Sequence, residues 1–185
     1  PAPRLDTAAD ITHDSCCVTR ISLATHTGTH VDAEAHVIHG GKCLGDYPLT
    51  AFSGLARVAD LRGLSVVDVS ALDSIESCDW LLLCTGQSEK WGSEEYFGTE
   101  PLFTEAFVKA AARIARKGIG LDCSGLDREG VALHRLWFSS GGGLMVENLT
   151  DLEMLLSESR ILFAAYPLKL AAGDGAPVRA VAVLV

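Results

Sequence analysis

The chain carries no basic run. Its 15 Lys and Arg are scattered against 24 Asp and Glu, for a formal net charge of -9 over 185 residues. That balance argues against nucleic acid and anionic membrane as partners. Long hydrophobic runs are missing too: the longest, such as Trp80-Leu81-Leu82-Leu83-Cys84, are strand-length and far below a membrane span. No signal-like segment opens the chain. Six cysteines show no CxxC pair and no dense framework, so a disulfide scaffold is not indicated and buried, reduced thiols in a cytoplasmic protein are expected. Internal repeats, low-complexity tracts and linkers are absent from the sequence. The content that remains, 48% hydrophobic, suits one compact domain over 1–185 and is short for two.

The hydrophobic patterning interleaves strands and helices. Cys16 to Ala24 and Leu55 to Leu61 alternate as strands do, whereas Trp80 to Cys84 and Ile119 to Cys123 are continuously apolar, as in strands covered on both faces. Thr104 to Lys117 is the clearest helix, with Thr104 as N-cap, Glu105 in the first turn and Gly118 at the end. Val131 to Phe138 predicts a helix broken by Gly141-Gly142-Gly143, and Leu144 to Glu147 a short strand. Val69 to Ile75 and a segment capped by Thr150 through Leu156 predict short helices. Arg160 to Leu170 and Val178 to Val185 read as strands, and the opening Ala2-Pro3-Arg4-Leu5-Asp6 as no element. The class predicted is α/β, a mixed β-sheet with flanking helices.

One segment concentrates the chemistry: His26-Thr27-Gly28-Thr29-His30-Val31-Asp32-Ala33-Glu34-Ala35-His36. Three imidazoles and a carboxylate within eleven residues are ligand types that suit zinc or manganese. Paired cysteines, the commoner mark of a structural zinc site, are not among them, which favours an open catalytic site. Thr27-Gly28-Thr29 is a poor helix, so a glycine turn is expected to bring His26 and His30 to one point. His30 and Asp32, two apart, project to the same side of an extended segment. His36 reads as a further ligand or as a general acid/base. His13 and His39 lack such company and read as ordinary histidines.

The same residues resemble the HxGTHxDxPxH signature of the cyclase family of metal-dependent hydrolases, which includes bacterial kynurenine formamidase and isatin hydrolase. Further matches follow in order: Leu83 to Gly86, Gly120 to Asp127, Val146 to Leu149 and Gly173 to Arg179. The resemblance implies a swivelling β/β/α fold. It implies one or two Zn2+ or Mn2+ ions held by His26, His30 and Asp32, with Asp32 bridging to His134 and Glu147, and His36 transferring protons. It further implies a small-molecule substrate with a C–N amide bond of the N-formylkynurenine type, with an isatin-like lactam, another small amide or a lactone fitting the same centre, and a homodimer or homotetramer. Two departures stand out. Glu34 replaces the family proline, removing a restraint on the loop that aims His36. Pro1-Ala2-Pro3 matches only the end of the family's opening strand and Pro-rich segment; either the protein begins earlier than this sequence, or part of the family's substrate wall or subunit contact is missing. Asp122, Ser124 and Asp127 read as turn residues or as partners of ligand histidines. Trp80, Trp91, Tyr96, Phe97 and Trp137 read as core or as an aromatic pocket. The competing reading is a metal-binding protein that has lost catalysis.

Overall fold

The computed structural model describes residues 2–185. In chain order the elements are β1 (Arg4–Ala9), α1 (Ile11–Asp14), β2 (Val18–Ser22), β3 (His30–Asp32), β4 (Ser53–Asp60), β5 (Val66–Val67), β6 (Cys78–Cys84), β7 (Leu102–Phe103), α2 (Glu105–Ile114), β8 (Ala115–Leu121), α3 (Ala132–Ser139), β9 (Leu144–Glu147), β10 (Ile161–Pro167) and β11 (Gly175–Leu184).

Seven strands close on themselves in the order β10-β11-β3-β9-β8-β6-β4. The expected mixed sheet is therefore present, but as a barrel. The pairs β4–β6, β6–β8 and β8–β9 are parallel, and the other four are antiparallel. Closure leaves no free edge in this sheet. The continuously apolar run in β6 is explained by burial on both sides. Trp80, Leu82 and Cys84 join the cluster with Phe163, Val146 and Ile161. Leu81 and Leu83 join the cluster with Phe107, Ile119 and Trp137, contributed in part by α2 and α3.

Several boundaries differ from the sequence reading. The helix predicted to Lys117 stops at Ile114, because Ala115 is already extended and opens β8 against β6. Tertiary pairing outweighs the helix propensity of those last residues. The short helices predicted at Val69 and Thr150 are 3₁₀ turns, Val69–Leu72 and Leu152–Leu155. The second is preceded by Asp151 at φ +61°, and Thr150 donates its hydroxyl to that aspartate. The opening residues do form an element: β1 pairs antiparallel with β2, so the strand predicted from Cys16 starts at Val18. The six cysteines are free, but only Cys78, Cys84 and Cys123 are buried; Cys16 and Cys17 are exposed. No helix among the described residues is long and apolar enough to cross a membrane.

Candidate metal centre

Three adjacent strands aim the site. β3 lies between β9 and β11, with His30 opposite Glu147 and Asp32 opposite Gly175. Cross-strand partners project to the same side, so register alone puts the His30 imidazole against the Glu147 carboxylate, Nε2 to Oε2 3.3 Å. Within β3, the two-residue period brings His30 Nε2 to 3.2 Å from Asp32 Oδ1.

The preceding turn supplies His26. Gly28 sits at φ +64°, a conformation that costs a glycine nothing. Its carbonyl is 2.8 Å from His30 Nδ1 and accepts from Asn148 Nδ2 at 3.0 Å. A carbonyl only accepts, so His30 carries its proton on Nδ1 and leaves Nε2 free as a donor of its lone pair. Asn148, itself at φ +56°, also takes the Thr29 hydroxyl on its carbonyl at 2.7 Å. The turn is thus clamped so that His26 Nδ1 lies 2.8 Å from Asp32 Oδ1.

His134 arrives from α3. Asp127 accepts the backbone N–H groups of Leu133 and His134 at 2.9 and 3.0 Å, and His134 Nδ1 at 2.7 Å. One carboxylate caps the helix start and fixes the ring, whose Nε2 then faces Glu147 Oε1 at 2.8 Å. Gly125 makes room for this pair: a Cβ there would stand 2.6 Å from Glu147 Oε1 and 2.8 Å from His134 Cε1.

These donors form two buried or nearly buried groups, His26–His30–Asp32 and Asp32–His134–Glu147, with Asp32 common to both. Both Asp32 oxygens are buried and lack a directed hydrogen bond, although two imidazole nitrogens stand close to Oδ1. Ligand atoms around one tetrahedral zinc at about 2.0–2.1 Å lie roughly 3.3 Å apart, so short spacing without hydrogen-bond direction is what a shared cation produces. The residues fit one or two divalent ions.

Charge makes the same case. Burial works against protonation of His30, but Asp32 and Glu147 outweigh it and push the ring up to about 10. Burial likewise opposes a charge on His134, and Asp127 and Glu147 push it up to about 10. Buried carboxylates demand a compensating positive charge, and protons supply it wherever a metal does not. His36 behaves oppositely. Burial lowers its value, the neighbouring His26 and His134 add to that against the pull of Asp32, and the ring is neutral near pH 7. It lies at the rim, stacked 3.9 Å from the His26 ring, with Nδ1 3.8 Å from Asp174 Oδ2.

The Cyclase family model matches residues 3–128. The chain belongs to the Cyclase family. The kynurenine formamidase of Salinibacter ruber is 31% identical over 169 residues, covering 87% of this chain and 77% of that protein. A solved protein described as a "Potential Metal-Dependent Hydrolase With Cyclase Activity" is 27% identical with a TM-score of 0.76, covering 96% of this chain and 85% of its own. Isatin hydrolase A from Labrenzia aggregata shares the fold at a TM-score of 0.81 and 23% identity, over 97% of this chain and 82% of its own.

All six residues singled out from the sequence of this cyclase-family chain, His26, His30, Asp32, His36, His134 and Glu147, converge on one place. His36 falls also in a third, half-buried group with His26 and Asp174, so geometry leaves both of its sequence readings standing. His13 lies elsewhere, exposed and paired with Asp10. Of the three turn residues, Asp127 is the ring partner. Asp122 instead ties Thr85 and Gly86 to β8 through both oxygens. Ser124 reaches Glu100 at 3.5 Å. Glu34 points away from the cluster, accepting the Lys42 backbone N–H at 3.1 Å, and that bond closes the loop bearing His36 without proline. Trp80 and Trp137 are core, while Trp91 and Phe97 are exposed beside Tyr96.

Sequence reasoning gave no role to Asp174 or Asn148. Asp174 holds His26 Nε2 at 3.0 Å; its signal was the Gly173-Asp174-Gly175 turn. Asn148 receives the Tyr96 hydroxyl at 2.5 Å besides clamping Gly28. Its signal was adjacency to Glu147.

Proposed function

We propose that this cyclase-family chain is a metal-dependent hydrolase that cleaves the C–N amide bond of a small molecule, an aryl formamide of the N-formylkynurenine type. The observation that carries the reading is the pairing of a buried N/O donor cluster, sharing Asp32, with the half-buried His36 imidazole stacked 3.9 Å from the His26 ring at its rim. The curated relatives named kynurenine formamidase support the choice of substrate class.

A bound divalent ion, zinc or manganese, would supply a Lewis acid for the amide carbonyl and lower the pKa of water at that point. His26, His30 and Asp32 would hold one ion, and Asp32, His134 and Glu147 a second. The chain's own residues do the rest. Gly28 and Asn148 keep the His26 turn rigid, and Asp127 fixes the His134 tautomer. His36, neutral near pH 7, takes a proton from the attacking water and returns it to the departing nitrogen. Asp174 holds His26 through Nε2 at 3.0 Å and lies 3.8 Å from the His36 Nδ1. His30, Asp32, His134 and Glu147 are buried, so the inner side of the cluster is closed to solvent.

The test is turnover of zinc- or manganese-loaded protein on N-formylkynurenine, isatin and a panel of small amides. Hydrolysis of the formamide is expected, and His36→Ala should lower kcat about 10²- to 10⁴-fold with bound metal unchanged. Turnover of isatin alone would move the reading to lactam opening. Metal binding without turnover of any substrate would leave a non-catalytic metal protein.

A further inference from the structure

Outside the two inner donor groups lies a third set, on the solvent side of the cluster. Asp174 Oδ2 stands 3.0 Å from His26 Nε2 and 3.8 Å from His36 Nδ1. The three residues come from separate segments, and backbone bonds fix two of them relative to each other. The Ala33 N–H donates to the Asp174 carbonyl at 2.9 Å, and the His36 N–H donates to the Ala33 carbonyl at 3.0 Å. The turn before β11 and the loop after β3 are thus tied at one residue.

These side chains leave donor capacity unused. At 3.8 Å the approach of His36 to Asp174 is too long for a hydrogen bond. Among the described residues neither ring nitrogen of His36 has a hydrogen-bond partner, and no lysine or arginine pairs with Asp174. Spacings of 3.0 and 3.8 Å bracket the roughly 3.3 Å between ligand atoms around a tetrahedral zinc. The side chains are 23% (His26), 27% (His36) and 44% (Asp174) exposed, so an ion can reach them from solution.

We propose that Asp174, His36 and His26 form a third divalent-cation site at the rim, and that its occupation stops turnover. The ion bonds to Asp174 Oδ2, His36 Nδ1 and His26 Nε2, and the proton on His26 Nε2 leaves to solvent. His26 then bridges the rim ion and the first inner ion through its two ring nitrogens. Giving up that proton, and relying on one half-exposed carboxylate, makes this ion weaker than those held by the buried groups built on Asp32. A cation on Nδ1 of His36 leaves the ring's proton on Nε2, with no lone pair to accept another. The inhibitory half rests on the proton-transfer role given to His36 above; the binding half rests only on the donor set.

Equilibrium dialysis of the untagged chain against zinc reads the site without substrate. Three equivalents are expected, the third at least 10-fold weaker than the other two. His36→Ala should keep both inner equivalents and lose only the weak one. Asp174→Ala should lose it as well, and Glu147→Ala should retain it while losing an inner one. Turnover of wild type should peak at two equivalents and fall 10-fold or more as the third binds; residual turnover of Asp174→Ala should not fall with added zinc. A wild type that stops at two equivalents would overturn the proposal. So would a third equivalent that survives both His36→Ala and Asp174→Ala, or one that binds without slowing turnover. Three ions bound with no turnover at any zinc level would refute the hydrolase reading, and the inhibitory half with it, while upholding the rim site.

Discussion

Asp127 offers the most direct test of how the second ion would be held. Its side chain is buried and makes three contacts: two helix-start N–H groups and the Nδ1 of His134. Asp127→Ala removes all three. Losing the helix cap should cost about 1 kcal/mol of folding stability. Losing the ring's partner should weaken metal binding about 10- to 100-fold, or about 1.4–2.7 kcal/mol. The two effects separate in Asp127→Asn, which keeps an oxygen for the backbone but no charge behind the imidazole. Zinc titration against a competing chelator gives the affinities, and urea denaturation gives the stability. The weakening should fall on one equivalent of zinc, since the His26–His30–Asp32 group has no contact with Asp127. If both equivalents bind the alanine variant as tightly as wild type, His134 is not a ligand positioned by Asp127.

Gly125→Ala should be far more damaging than Gly28→Ala. Both have positive φ, but a Cβ at Gly125 would collide with Glu147 and His134, whereas one at Gly28 meets nothing within 4 Å. About 1–3 kcal/mol of strain is expected at Gly125, together with a lost metal equivalent. Equal stability and metal content for the two variants would contradict the packing described. Metal removal should expose a pH dependence of definite sign. His30 and His134 rise from 6.5 to about 10 in the folded protein, so their protons stabilise the fold fully below pH 6.5. That stabilisation is lost as pH rises through about 10. Urea midpoints of the chelated protein should fall across this window and those of zinc-loaded protein should not. A midpoint that rises with pH in the chelated protein would refute the assignment of charge.

Much of the site was legible because its residues are close in sequence. His26, His30, Asp32 and His36 sit on one turn and one short strand, and the spacing of two in His30–Asp32 translates directly into a shared side. His134 and Glu147 needed the family resemblance, since nothing local distinguishes a helix-face histidine or a strand-end glutamate from a solvated one. Asp174 and Asn148 were legible only as turn residues. Their contacts span 148 and 120 positions to His26 and Gly28, and local patterning carries no information at that range.

Element types followed from periodicity, and the departures occur where long-range pairing competes with local preference. Ala115 to Lys117 would extend a helix, yet β6 recruits them into β8. Arg4 to Ala9 shows little strand signal alone and becomes a strand because β2 offers a partner. The sequence by itself determined the α/β class, the ligand chemistry and the loop that carries most of it, because these depend on residue type and short spacing. Only the tertiary structure decided that the sheet closes, that β3 lies between β9 and β11, and that Asp32 is shared by two ligand groups. Barrel closure sets that register, which brings carboxylates and imidazoles more than a hundred residues apart in the chain to within about 3 Å.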